Sequence, residues 1–70
     1  MNKHTYYTNG NLGVRMIKTP SFTYVVTYKR GIRQVHGSSH FDLGYWTGTK
    51  WQFDDSEKAE KAKNEYLKLT

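Results

Sequence analysis

The residues of this chain with the clearest chemical potential are its arginines and lysines, because they are interleaved with aromatic rings. Arg15, Lys29, Arg30, Arg33 and Lys50 stand among Tyr24, Tyr28, Tyr45, Trp46 and Trp51. A guanidinium is a planar fork of donors that matches phosphate oxygens and the edge of guanine. Aromatic faces accept stacked bases of any sequence. Together these groups point to a polyanion, and to nucleic acid first. The same residues have a plainer reading, in which a small domain uses its rings as core and its charges to stay in water. Trp46 falls out of phase with Phe41, Leu43 and Tyr45, so it is either exposed or packed beneath the N-terminal segment.

The other reactive side chains point away from catalysis. His36 and His40 are four apart, which suits a metal pair on a helix, yet Gly37-Ser38-Ser39 between them are poor helix formers. They read as loop histidines, able to touch phosphate when protonated. Ser38 and Ser39 beside His40 lack a strained strand-to-helix elbow and an orienting acid. Asp54, Asp55 and Glu57 are explained by helix capping rather than by paired carboxylate chemistry. No glycine-rich turn opens a helix to cradle phosphate. The expectation is a protein that is not an enzyme, with no catalytic residue, metal or cofactor.

Charge is unevenly placed. Seven Lys or Arg stand against the single acid Asp42 between Met1 and Phe53, a balance of +6. Four Lys against five Asp or Glu follow from Asp54 onward, a balance of −1, and the total is +5. The positive field thus belongs to the first three quarters of the chain, which favours a polyanionic partner. Seventy residues build one domain with one hydrophobic layer. An aromatic content of 16% supplies the area for that layer and argues against disorder. There is no cysteine, so neither disulfides nor thiolate zinc sites can brace the fold. The opening residues lack the apolar run of a signal peptide, and no stretch has the length of a membrane span. A cytoplasmic protein with no membrane association is expected.

These side chains must be positioned by short strands and one helix. Met1 to Leu12 shows no clear period and reads as either an edge strand or a loose arm. Gly13 to Lys18 has β-like content and is stopped at Thr19-Pro20-Ser21. Phe22 to Lys29 alternates strictly, with Phe22, Tyr24, Val26 and Tyr28 on one face and Thr23, Val25, Thr27 and Lys29 on the other. Arg30-Gly31 suits a turn into Ile32 to His36. A two-residue turn would set Tyr28 opposite Arg33 and Val26 opposite Val35, and a three-residue turn would shift that register. Phe41, Leu43 and Tyr45 alternate as in a further half-buried strand. Thr47-Gly48-Thr49 forms a hairpin tip, and Lys50 to Phe53 returns with Trp51 and Phe53 on one face. Asp54 with Glu57 three residues later fits a capping box. Ala59, Ala62, Tyr66 and Leu69 then form the packing stripe of a helix, with Glu57, Lys58, Glu60, Lys61, Lys63 and Lys68 mostly off it. The fold class is α+β, a small antiparallel sheet of four to five short strands packed on one C-terminal helix.

This order of elements resembles the plant ethylene-response-factor type of DNA-binding domain, whose relatives occur in phage homing endonucleases and in the arm-binding domains of tyrosine recombinases. The matching residues are Gly13-Val14-Arg15, Tyr24-Val25-Val26, Gly31-Ile32-Arg33, and Phe53 to Ala59 with Ala62 and Tyr66. The resemblance implies a sheet lying in the major groove of duplex DNA, with Arg15 and Arg33 in base- or phosphate-contacting roles and Tyr24 where the family often has tryptophan. The hairpin from Tyr45 to Phe53 is additional to that pattern, and SH3-like barrels with a terminal helix share a similar order. The leading expectation is a non-catalytic DNA-binding module of phage or mobile-element type, contacting DNA through Arg15, Lys29, Arg30, Arg33, Lys50, Tyr24 and Trp46. The alternative is a small protein-interaction module anchored by Trp46, Tyr45 and Tyr6-Tyr7, since Tyr, Trp and Arg also dominate protein hot spots.

Overall fold

The structure, a computed structural model, describes residues 2–34, 41 and 43–69. The pairing of Val26 with Val35 and the readings of His36, Ser38, Ser39, His40 and Asp42 lie outside those residues. The expected α+β architecture is present: among the described residues, an antiparallel sheet of six strands is packed with one C-terminal helix.

Strand β1 (Lys3–Asn9) and strand β2 (Leu12–Lys18) pair along their whole length, from Lys3 opposite Lys18 to Asn9 opposite Leu12. Gly10 turns the chain between them at φ 61°, a conformation that suits glycine. The N-terminal segment is therefore an edge strand. After the Thr19 to Phe22 loop, tied by Thr19 N–H to the Phe22 carbonyl at 2.8 Å, β3 (Thr23–Lys29) pairs with all of β2. The other edge of β3 is divided. Tyr28 and Lys29 pair with β4 (Ile32–Arg33), and Thr23 to Val25 pair with β6 (Trp51–Phe53). Strand β5 (Tyr45–Trp46) pairs with β6 from the outside, giving the order β1-β2-β3-β6-β5. The β3 to β4 turn has two residues, Arg30 at φ 55° and Gly31 at φ 79°, and so sets Tyr28 opposite Arg33.

Helix α1 (Ser56–Leu67) covers one face of this sheet. The core joins Leu12, Val14 and Met16 of β2, Val25 of β3 and Trp51 and Phe53 of β6 to Ala59, Ala62 and Tyr66 of α1. Phe41 enters this layer from the connection before β5 and is fully buried. Its ring lies 6.0 Å from Trp51, 6.4 Å from Phe53 and 5.5 Å from Tyr66.

Three local expectations are corrected. Phe41, Leu43 and Tyr45 do not share a strand face: Gly44 N–H bonds the Phe41 carbonyl at 2.9 Å, and this turn resets the phase. Phe41 and Trp46 then point inward, while Leu43 and Tyr45 are 64% and 68% exposed. Glycine is required at position 44, because a Cβ there would lie 2.8 Å from the Phe53 ring. The helix cap is Asp55 rather than Asp54. The Asp55 backbone is extended, and Glu57 N–H donates to its Oδ1 at 2.9 Å. Leu69 does not continue the packing stripe, since the helix ends at Leu67 and leaves Leu69 exposed.

Lys63, expected off the packing stripe, is buried. Its Nζ sits 3.9 Å from the centroid of the Tyr7 ring and 3.0 Å from Glu60 Oε2, so the long side chain bridges α1 to the edge strand. Asn9 adds a side-chain hydrogen bond to the Leu67 carbonyl. These two contacts hold β1 against the helix end.

Phe41→Ala should cost about 3–5 kcal/mol, against a total near 5–15 kcal/mol for a domain; urea titration reads the loss, and a midpoint close to that of the parent would contradict the buried position. Burial pushes the Tyr66 phenol above its usual value of 10.0. The folded chain then keeps a proton that the unfolded chain releases. This stabilisation is complete below about pH 10 and is lost as the pH rises through the higher folded value. Urea midpoints should therefore hold up to about pH 10 and drop above it, and Tyr66→Phe should flatten that drop.

Candidate functional site

The sheet face opposite α1 is not covered by the helix, and strand alternation decides which side chains it carries. The registers arrange them in three rows. His4, Ile17, Tyr24, Gln52 and Tyr45 form the first; Tyr6, Arg15 and Val26 the second; Thr8, Gly13, Tyr28 and Arg33 the third. None of the six strands contains an Asp or Glu. Asp54 lines a groove beside Tyr45 and Gln52 at the margin of this face, while Asp55 caps the helix and Glu57, Glu60 and Glu65 lie on it. The cations of this face thus have no acidic partner within the strands themselves.

Rings and cations are in contact here. The Arg15 guanidinium carbon lies 5.8 Å from the Tyr6 ring centroid and 5.9 Å from that of Tyr28, while the two rings meet edge to face at 5.5 Å. Lys50 Nζ lies 5.1 Å from the Tyr24 ring centroid. Each cation–π contact at an exposed site contributes about 0.5–1 kcal/mol, enough to bias a side chain's position without burying it. Arg33 donates from Nη2 to the Thr49 carbonyl at 2.8 Å, which ties β4 to the β5–β6 hairpin. The Tyr6–Tyr28 contact depends on Gly13, directly opposite Tyr28. A Cβ on Gly13 would overlap the Tyr6 hydroxyl and lie 3.0 Å from its Cζ.

Four of the seven residues read from the sequence as a binding set come together on this face: Arg15, Tyr24, Arg33 and Lys50. Three do not. Lys29 has the opposite parity, beside Leu12 at the end of β3, and is exposed there. Arg30 is in the turn beyond it, its N–H bonded to the Asn11 carbonyl at 2.7 Å. Trp46 is half-buried on the helix side with its ring 5.3 Å from Trp51, in contact with the core. The face also carries Tyr6, Gly13, Tyr28, Tyr45 and Gln52, which that set lacked. Tyr6 was hidden because adjacent tyrosines in a strand must point to opposite faces, and only pairing shows which side is open.

Compared with family models, with curated proteins and with solved structures, the chain matches none of them.

Gly13→Ala should leave folding stability nearly unchanged, since the tip of Tyr6 is free to move, but should displace that ring from Arg15 and Tyr28. Loss of the Tyr6–Tyr28 nuclear Overhauser contacts would report this. Their persistence would mean that Gly13 does not seat the ring.

Proposed function

We propose that this chain is a non-catalytic nucleic-acid-binding module, and that the open sheet face is its contact surface. The observation that carries the reading is the gathering of Arg15, Arg33 and Lys50 with tyrosines on a face whose strands hold no acid. Phosphate attracts such a surface from any sequence, and release of condensed counterions supplies much of the affinity. The rings and the amide of Gln52 then offer contacts to bases. No helix of the described residues is long and apolar enough to cross a membrane.

A second reading, a protein-interaction module, is favoured by one feature. Phe22, Leu43 and Tyr45 are exposed around a shallow groove completed by Gly44, Gln52 and Asp54. Tyr7 and Trp46 are engaged with the core side, so anchoring would fall to Tyr6, Leu43 and Tyr45.

Fluorescence anisotropy with labelled oligonucleotides separates the two. With three phosphate contacts, affinity should fall roughly 20- to 40-fold between about 50 and 200 mM salt. Arg33→Glu should weaken binding roughly tenfold or more, whereas Lys61→Glu on the outer side of α1 should hardly matter. Equal effects of the two substitutions would defeat the sheet-face assignment. No binding to any nucleic acid at the lower salt would put the protein-interaction reading in front.

A further inference from the structure

We infer that the open face takes an unpaired polynucleotide strand, laid across the sheet with bases stacked on its tyrosines, rather than a duplex groove. This rests on the nucleic-acid reading above and departs from the duplex partner that the family resemblance implies.

Width is the first argument. The contact groups run from Tyr6 on β1 to Tyr45 on β5, across the order β1-β2-β3-β6-β5. Four strand gaps of about 4.8 Å set those outer strands roughly 19 Å apart. The major groove is about 12 Å wide and admits a helix or a two-stranded ribbon. A duplex could meet only part of this surface, whereas a single strand can cross all of it.

Chemistry is the second argument. Tyr6 and Tyr45 are 48% and 68% exposed, and every tyrosine of this face is within one strand of a cation or an amide. Tyr24, Gln52 and Tyr45 follow one another on adjacent strands, so a side-chain amide stands between two rings. Arg15 lies over the rings of Tyr6 and Tyr28, so a cation and the exposed Tyr6 ring are neighbours on this face. Alternating π-faces and cations match alternating bases and phosphates along a strand whose bases are free to splay. In a duplex the base faces are stacked on one another and are closed to these rings.

The test uses the whole chain and four labelled probes of equal length: oligothymidylate, oligouridylate, an abasic deoxyribose-phosphate strand and a mixed-sequence duplex. The expected result is tighter binding of a base-bearing single strand than of the abasic strand or the duplex, by roughly tenfold or more. Whichever of thymidylate and uridylate is held more tightly names the preferred strand, the two differing in the sugar and in the thymine methyl group. Tyr45→Ala should weaken binding of that strand roughly five- to hundredfold and leave abasic binding unchanged. Tyr45→Phe should retain it. Tyr45 is exposed enough that neither substitution should disturb folding, which circular dichroism checks. Equal binding of abasic and base-bearing strands, or a preference for the duplex, would overturn the inference while the nucleic-acid reading stands. No binding to any probe would overturn both.

Discussion

Ala59 and Ala62 are the points at which the helix meets the sheet, and their small size governs the arrangement around them. With methyl groups at these two positions, α1 approaches β2, β3 and β6, and most of the core's bulk is supplied from the strands, Phe41 and Tyr66. Phe41 closes the layer from the connection before β5, and Tyr66 closes it from the last turn of the helix. A chain of this length buries only about 60% of the surface that its unfolded form exposes. One helix-covered face is what it can build; on the other face Tyr6, Arg15 and Tyr45 are exposed while Val26 is buried.

That constraint sorts the aromatic residues. Phe41, Trp46, Trp51 and Phe53 are on the covered side, and Tyr6, Tyr24, Tyr28 and Tyr45 are on the open one. A phenol tolerates this position because its apolar ring packs on neighbours while its hydroxyl stays hydrated. Where two tyrosines are adjacent, as at Tyr6 and Tyr7, they divide between the faces. Tyr7 meets the buried Lys63 beneath the sheet, and Tyr6 meets Arg15 above it. The edge strand thus couples the helix side to the candidate site through consecutive residues.

The division of β3's second edge has a comparable consequence. Because β4 occupies only Tyr28 and Lys29, the β5–β6 hairpin can dock on Thr23 to Val25 and widen the sheet. Arg33 spans the junction to Thr49. The open face owes its breadth, and the placement of Lys50 over Tyr24, to that hairpin rather than to the longer strands.

Much of this was legible in the residues themselves. Strict alternation from Phe22 to Lys29, the punctuation at Thr19-Pro20-Ser21 and Arg30-Gly31, and the acid-led start of the helix are local signals, because each depends on backbone preference or on the period of a single element. They determined the α+β class, the C-terminal position of the helix, the Tyr28–Arg33 pairing available to a two-residue turn, and the concentration of positive charge before Asp54. Tertiary structure decided the rest. Pairing of β1 along β2 settled which tyrosine of Tyr6-Tyr7 is open; the Phe41–Gly44 turn reversed the phase of Leu43, Tyr45 and Trp46; and packing against Tyr7 buried Lys63, a residue whose type predicts exposure. Each of these depends on a partner distant in sequence. A strand's period defines two faces without saying which one a helix will cover, and only the assembled sheet made that choice.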